Sequence, residues 1–376
     1  MKGSEFVNEK PELLERKLEQ QLLSILEEIP GLGGEVKVWR NPAASDKAFD
    51  IMGELRLPRS GDKIELWVEC KNLPRPSQFP FVSLRNRFLE DGSRETRVPV
   101  LAAPYISPRM AELCEEHGWS WYDLAGNCRL VVPGAVYIER TGNKPVHTRP
   151  KPKANLGTAA SARVLLALLA PQNAGAKWTQ TSLQKYCEPG VSIGLVNKVV
   201  THLREEAWLE TLDDGTFRVK DAVGLMETWG NAYRFDRHQK LGYFTLLKPQ
   251  ELHRRLISLN DAQGEVDYAA FSAADFQAPC VRQNKTWLYV SDAALDEFIE
   301  VTEAKRVASG ENLVVLIPDD AGVFYMGNHS DGRLGCTNPV ITWLDLLHVG
   351  GRGAEAAEAI MNQCLKPVWE GEGNHV

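Results

Sequence analysis

The chain has 376 residues, which is enough for two or three domains. Its composition, 43% hydrophobic and 25% charged, is that of a globular protein and excludes a disordered or collagen-like chain. The formal net charge of −7 excludes a generally polyanion-binding protein, so any contact with nucleic acid has to come from a local basic patch.

Apolar runs and cysteines indicate where the protein acts. No apolar run approaches the roughly 20 residues that span a bilayer, and the N-terminus lacks the apolar segment of a signal peptide. The seven cysteines are scattered and odd in number, and none belongs to a CxxC pair. We therefore expect a cytoplasmic protein with neither a disulfide framework nor a zinc cluster.

The first predicted domain spans residues 7–141. Leucine at every fourth position from Leu14 to Leu26 predicts an amphipathic helix. Three strands follow, in "GEVKVWR", "KAFDIMGELRL" and "KIELWVECK". A buried strand in "RVPVLAAPYI", a helix that starts at Ser107-Pro108 and a strand in "WSWYDL" complete the domain. We predict the order α-β-β-β-α-β with a further αβ extension.

The turn "LPRSGDK" defines a hairpin between the second and third strands. If Arg56 pairs with Lys63, the same register places Asp50 opposite Glu69. Directly opposed side chains on antiparallel strands have Cβ atoms about 5 Å apart. Lys71 lies two residues beyond Glu69 and therefore on the same face. The hairpin is thus predicted to bring two carboxylates and one ammonium group together.

Two carboxylates this close repel each other unless a cation lies between them, and their hard oxygens suit Mg²⁺ or Mn²⁺. We predict that Asp50 and Glu69 are metal ligands and that Lys71 orients or activates a water for attack on a phosphate. Asp50, Glu69 and Lys71 are therefore the candidate catalytic residues, and Glu15 or Glu19 of the first helix is a candidate further ligand. The alternative is a structural hairpin in which Lys71 neutralises both acids.

"FDI" and "VECK" in this element order resemble the PD-(D/E)xK restriction-endonuclease-like fold. Phe49 stands where the pattern has proline. The resemblance implies a metal-dependent nuclease centre built on the same three residues. In the nearby stretch "YDLAGNCRL", Asp123, Gly126 and Asn127 predict a tight turn beside a strand end.

Residues 142–156, "GNKPVHTRPKPKANL", are basic, rich in proline and free of acidic residues. This composition predicts an extended, semi-rigid linker between domains. The linker is either a solvated spacer or a segment that lies along a phosphate backbone.

Residues 157–222 predict three helices and a hairpin. The helices lie in "SARVLLALLAP", in "WTQTSLQKYC", with Thr179 as its cap, and in a segment that begins near Ser192. The hairpin "WLETLDDGTFRVKD" turns at Asp214-Gly215. This order resembles the winged helix-turn-helix of bacterial regulators.

The resemblance implies that the third helix enters the major groove of double-stranded DNA. Its inward face is predicted to be Ile193, Val196, Val199, Val200 and Leu203. The predicted base-contacting residues are Ser192, Asn197, Lys198 and Thr201, and the predicted phosphate-contacting residues of the wing are Arg218 and Lys220. The segment has equal numbers of basic and acidic residues, which predicts weak nonspecific binding. A winged helix that binds protein instead of DNA is the alternative.

Residues 223–376 predict a mixed α/β domain, with strands in "TWLYVSD", "LVVLIPDD" and "GVFYMG" and a last helix in "GAEAAEAIMNQCL". No phosphate-binding glycine loop, GxSxG or HExxH motif is present. Asp345 and Arg352 attract notice, but "GGRG" at the start of a helix is equally explained as a loop and a helix N-terminus. Together with the three helices, "WLDLLHVGGRGAEAAEAI" resembles the AbiEi-type regulators, the antitoxin side of type IV toxin–antitoxin systems. The resemblance implies a repressor of its own promoter, with a cognate toxin and a second copy of the chain as possible partners.

We therefore predict an α/β multidomain protein with a restriction-endonuclease-like domain, a winged-helix domain and a mixed α/β C-terminal domain. The leading hypothesis is a DNA-binding transcriptional regulator of antitoxin type. The second is a Mg²⁺- or Mn²⁺-dependent DNA endonuclease that its winged helix targets, in mobile-element or phage defence. The third is a protein-interaction scaffold in which both modules have lost contact with DNA.

Overall fold

The computed structural model describes residues 11–28, 37–40, 49–56, 61, 63–89, 97–132, 136–145, 154–261, 265–328 and 334–371. The chain forms two compact units, residues 1–152 and 153–376. Residues 146–153 of the predicted linker lie outside the described ranges. Within those ranges, no helix is both long and apolar enough to cross a membrane.

The first unit is a seven-stranded sheet with helices on both faces. The strands are ordered as in the sequence; the central three are parallel to one another and the outer pairs are antiparallel. Its elements are α1 (Pro11–Glu27), β1 (Lys37–Arg40), β2 (Ile51–Arg56), β3 (Lys63–Cys70), α2 (Phe81–Leu89), β4 (Arg97–Ala103), α3 (Pro108–Glu116), β5 (Ser120–Asp123), β6 (Cys128–Val132) and β7 (Val136–Arg140).

Two hydrophobic clusters, one on each face, hold this unit together. The leucine stripe of α1 packs on one face against alternate residues of β2 and β3. The other face carries aromatic residues, among them Trp67 and Trp119, which pack with α3. The order through β5 agrees with the predicted α-β-β-β-α-β and its αβ extension, but no segment had been assigned to the helix α2 between the third and fourth strands. The two strands β6 and β7 were not predicted, and most residues of β7 are exposed.

The predicted tight turn joins β5 to β6. Gly126 has a φ of +89°, which is the left-handed conformation that glycine adopts without strain. The buried carboxylate of Asp123 accepts hydrogen bonds from the backbone N–H groups of Asn127, at 2.9 Å, and Ile106, at 3.1 Å. Asp123 and Asn127 therefore hold the turn together, as turn chemistry predicts.

The second unit contains three helices, a two-stranded hairpin and a six-stranded mixed sheet with further helices. The sheet order is β13-β10-β14-β12-β11-β15. The elements are α4 (Ala159–Leu169), α5 (Gln180–Tyr186), α6 (Ile193–Glu205), β8 (Leu209–Thr211), β9 (Phe217–Val219), α7 (Ala222–Ala232), β10 (Gln239–Phe244), α8 (Pro249–Ile257), β11 (Val266–Tyr268), α9 (Ala270–Gln277), β12 (Thr286–Val290), α10 (Leu295–Thr302), β13 (Lys305–Arg306), β14 (Leu313–Ile317), β15 (Gly335–Cys336), α11 (Pro339–His348), α12 (Gly353–Ile360) and α13 (Lys366–Gly371).

The prediction of a strand in "GVFYMG" is wrong. Residues Ala321–Phe324 form a short 3₁₀ helix, and the side chain of Asp320 caps it by accepting the N–H of Gly322 at 2.8 Å. The cap turns the chain at the point where an extended conformation would have continued from β14.

One hydrophobic cluster runs through most of the second unit. It contains buried residues of α4, α6 and β9 together with residues of α7, α9, α11 and α12. The three helices and the hairpin therefore share a core with the residues that follow them. A smaller cluster packs α8 and α10 on the six-stranded sheet.

Candidate functional site

The β2–β3 hairpin has the predicted register, with Arg56 opposite Lys63. Asp50 immediately precedes β2, and its N–H donates to the carbonyl of Val68 at 2.8 Å. The Asp50 carboxylate in turn accepts the N–H of Cys70 through Oδ2, also at 2.8 Å. Both bonds hold Asp50 beside the end of β3.

Glu69 and Lys71 lie at this same strand end and form an ion pair with each other. The side chain of Glu69 is 14% exposed and that of Lys71 is 43% exposed, so solvent reaches the pair. An ion pair this exposed contributes little to stability, about 0–1 kcal/mol. The pair places the carboxylate and the ammonium group of the predicted site next to each other.

The charge around Cys70 shows which acids face this strand end. Burial raises the pKa of the Cys70 thiol well above its ordinary value, and the negative charges of Asp50, Glu15 and Glu69 raise that pKa further. The positive charge of Lys71 acts in the opposite direction. Glu15, which α1 contributes, is therefore close enough to add negative charge to the strand end.

The hydroxyl of Tyr122, on β5, ties the sheet to α1 on the same side of the unit. It donates to the carbonyl of Leu18 at 3.0 Å. Burial raises the pKa of Tyr122, and the charges of Cys70 and Glu19 contribute to the rise. Helix α1 thus presents Glu15 and Glu19 toward the region of β3 that carries the predicted site.

The donor set at this strand end fits a hard divalent cation. Asp50 and Glu69 supply carboxylate oxygens, and Mg²⁺ commonly uses one or two carboxylates and keeps several waters. Over the ranges that the structure describes, no group of three or more His, Cys, Asp or Glu side chains is arranged to hold a metal ion. A closed zinc site, which takes three or four such ligands, is therefore not formed within these ranges.

The second candidate surface is the exposed side of α6. Asn197, Lys198 and Thr201 are exposed, as predicted, and the predicted core residues from Val196 to Leu203 are buried. Ile193 is the exception, because it is 49% exposed where a buried position was predicted. The contribution of α6 to the core begins only at Leu195 and Val196, so the first turn projects beyond that core.

Two polar residues on this side of α6 have protein partners. Ser192 caps the helix and accepts the N–H of Leu195 at 3.3 Å. The amide of Asn197 donates to Gln180 at 3.1 Å. Because it caps α6, Ser192 has a structural role in addition to its predicted contact with a base. The other predicted cap, Thr179 at the start of α5, is confirmed.

The hairpin that follows α6 turns at Gly215, which has a φ of +80°. Arg218 faces Glu210 across the hairpin and forms an ion pair with it. Lys220 is exposed at the end of β9. Of the two cations predicted to contact phosphate, Arg218 therefore already has a carboxylate partner.

A buried polar cluster in the second unit escaped sequence analysis. Asp345 is fully buried, and its Oδ1 accepts the hydroxyls of Tyr233 at 2.9 Å and Tyr289 at 3.0 Å. His238 lies 3.0 Å from the Tyr233 hydroxyl through Nε2, and its Nδ1 accepts the N–H of Asp319 at 3.2 Å. Because Nδ1 accepts, a neutral His238 carries its proton on Nε2 and donates it to Tyr233.

Burial sets the charge of this cluster. It raises the pKa of Asp345 to about 7, and the two tyrosine hydrogen bonds oppose that rise. It lowers the pKa of His238 to about 4, against the charges of Asp319, Asp236 and Asp320. The only local indication of this buried cluster in the sequence was the apolar surrounding of Asp345 in "TWLDLL".

Arg352, the other residue of this region that attracted notice, is exposed and forms an ion pair with Glu355.

The two units thus define a mixed α/β protein with an acidic strand end in one unit and an exposed polar helix with a hairpin in the other. Residues 218–366 match a protein family described as transcriptional regulator, AbiEi antitoxin, type IV TA system. The match covers less than half of the chain; it starts in β9 and ends at the first residue of α13. No curated protein and no solved structure matches the chain.

Proposed function

We propose that the protein is a DNA-binding transcriptional regulator of the AbiEi antitoxin kind, and that residues 157–222 form its winged helix. The observation that carries the proposal is the exposed, small and polar side of α6, followed directly by a hairpin. The segment joins, without a break in the core, a region similar to transcriptional regulators. That similarity adds support for DNA and a cognate toxin as partners. We also propose a second copy of the chain as a partner.

In the proposed complex, α6 lies in the major groove and the hairpin contacts the backbone. Asn197, Lys198 and Thr201 face the base edges, and Lys220 contacts a phosphate. Arg218 is paired with Glu210 through Nε, so its contact with a phosphate competes with this carboxylate. Residues 157–222 carry equal numbers of basic and acidic residues, so their general attraction to phosphate is weak. The specific contacts are therefore the main source of affinity for DNA.

A titration of the DNA upstream of the protein's own gene tests this proposal. Lys198→Ala is expected to weaken specific binding by about 1–3 kcal/mol, and Lys220→Ala is expected to reduce the salt dependence by about one phosphate contact. Lys305→Ala is the matched control, because Lys305 is an exposed lysine on the edge strand β13 of the same unit. Wild-type protein without salt-sensitive affinity for this DNA would refute the proposal.

A second candidate function is a metal-dependent deoxyribonuclease, and the register that brings Asp50 beside β3 favours it. A bound Mg²⁺ or Mn²⁺ would polarise the scissile phosphate and lower the pKa of a water. Asp50 and Glu69 would hold the ion, and Lys71 would orient the attacking water after leaving its ion pair with Glu69. Glu15 would add negative charge to the same site.

Cleavage of plasmid and linear DNA with Mg²⁺ or Mn²⁺ tests the nuclease function. The Glu69→Gln, Lys71→Ala double variant is expected to lose all cleavage, whereas Glu116→Gln, an exposed acid on α3, is expected to cut like wild type. DNA binding without cleavage in all three proteins would make the acid–lysine cluster a structural feature. The regulator function would then stand alone.

A further inference from the structure

The loop that follows β14, residues 319–326, supports the turn between α5 and α6. Tyr325 donates its hydroxyl to the carbonyl of Tyr186, the last residue of α5. Gln172, just after α4, donates to the carbonyl of Met326 at 3.4 Å. Val323 and Phe324 of the loop are buried in the cluster that α4 and α6 share. This loop comes from the region that resembles transcriptional regulators.

Arg163, on α4, connects the loop to the turn. Its Nε donates to Oδ1 of Asp320 at 3.0 Å, and its Nη2 pairs with Oδ2, so the two side chains form a bidentate pair. The remaining nitrogen, Nη1, donates to the carbonyls of Pro189 at 3.3 Å and Gly190 at 3.1 Å. These two carbonyls lie just before Ser192, the cap of α6.

The surroundings of the pair leave it little freedom. The side chains of Arg163 and Asp320 are only 20% and 17% exposed. A Cβ at Gly322 would lie 2.7 Å from Oδ1 of Asp320 and 3.2 Å from Cγ of Arg163, so only glycine fits there without a shift. The planar guanidinium group, fixed by Asp320, therefore holds the two turn carbonyls at fixed positions.

We infer that the Arg163–Asp320 pair positions α6 for base contacts, so that the region after residue 218 controls how the winged helix meets DNA. The inference rests on the proposed regulator function. Neither residue is required to touch DNA; both act through the turn. Specific binding depends on the orientation of α6, whereas nonspecific binding depends on charge, so the pair affects the two differently.

Asp320→Asn gives a test in which electrostatics and positioning predict opposite signs. The variant removes a negative charge near the proposed DNA surface, which by charge alone tightens binding. Loss of positioning instead weakens specific binding, and we expect a loss of about tenfold or more with an unchanged salt dependence. Asp236→Asn is the matched control, because Asp236 pairs with Arg234 at the surface and has no contact with the turn in the described ranges.

Two further variants and a second measurement complete the test. Arg163→Lys keeps the charge but loses the planar fork, and Gly322→Ala pushes the pair apart without changing any charge; both are expected to lose specific affinity like Asp320→Asn. Amide hydrogen exchange in residues 187–195 is expected to rise in all three variants and not in Asp236→Asn.

The outcomes separate this inference from the proposed function. Wild-type protein that does not bind DNA refutes the regulator function, and the exchange measurement then still decides whether the pair holds the turn. Unchanged or tighter specific binding by Asp320→Asn, or unchanged exchange in the turn, overturns the inference. A general fall in thermal stability with equal losses of specific and nonspecific binding also overturns it.

Discussion

Two acids, Glu69 in the first unit and Asp345 in the second, have opposite environments. Glu69 of the first unit lies at a strand end that solvent reaches, with Lys71 as its counter-charge. Asp345 of the second unit is fully buried, and its Oδ1 is bound by the hydroxyls of two neutral tyrosines. A charged carboxylate is therefore tolerated at the first position and penalised at the second. The difference shows that exposure and counter-charge, and not the residue type, separate a candidate ligand from a core residue.

The largest expected difference is in stability. Asp345→Ala leaves the buried hydroxyls of Tyr233 and Tyr289 without their acceptor, which is expected to destabilise the second unit by roughly 2–5 kcal/mol. Glu69→Gln weakens a partly exposed ion pair and is expected to cost less than about 1 kcal/mol. Urea unfolding of the two variants, followed by tryptophan fluorescence, measures both. Equal losses would remove the distinction between the two sites.

The next difference is in the pH dependence of stability. The folded state retains a proton on Asp345 between about pH 3.8 and pH 7, so this residue adds stability on acidification. His238 stays neutral in the folded state between pH 6.5 and about pH 4, so it removes stability on acidification. The two contributions oppose each other in one pH window, and they are on the order of 4 kcal/mol for Asp345 and 3 kcal/mol for His238.

Single variants are expected to expose each contribution. Relative to wild type, Asp345→Asn loses stability between pH 7 and pH 4, whereas His238→Gln gains stability between pH 6.5 and pH 4. Urea unfolding at four or five pH values measures both differences. A His238→Gln curve parallel to that of wild type would mean that the pKa of His238 is the same in the folded and unfolded states.

The smallest expected difference is in metal binding. Mn²⁺ is expected to bind wild-type protein weakly, and the Asp50→Asn, Glu69→Gln double variant is expected to lose that binding. Asp345→Asn is expected to bind Mn²⁺ like wild type, because its carboxylate is sealed in the core. Paramagnetic resonance of free Mn²⁺ measures this without DNA and without cleavage. Equal binding by all three proteins would exclude the strand end as the metal site.

Sequence analysis succeeded where the determinants are local. The pairing of Arg56 with Lys63 follows from one turn and the alternation of two strands, and the structure confirms this register. The exposed side of α6 follows from the spacing of its valines. The prediction that Ile193 is buried was wrong. The spacing of apolar residues indicates which side of a helix faces the core, but it does not indicate where along the helix the core begins.

The Arg163–Asp320 pair and the buried cluster around Asp345 have no local determinant in the sequence. Arg163 and Asp320 are separated by 157 residues, and Tyr233 and Asp345 by 112. A helix arginine and an aspartate after a strand are ordinary surface residues by composition alone. Only the fold brings them together, so neither the pair nor the buried cluster could be predicted from the sequence.

The core that α4 shares with later helices has a consequence for synthesis on the ribosome. The indole of Trp369 donates to the carbonyl of Leu169 at 3.1 Å, across 200 residues of chain. At about 5–20 residues per second, α4 is made roughly 10–40 seconds before its last partner. During that interval its apolar surface, "VLLALL", lacks part of its final cover. The nascent chain is therefore a natural client for chaperones that bind short hydrophobic segments, and slower translation would prolong that dependence.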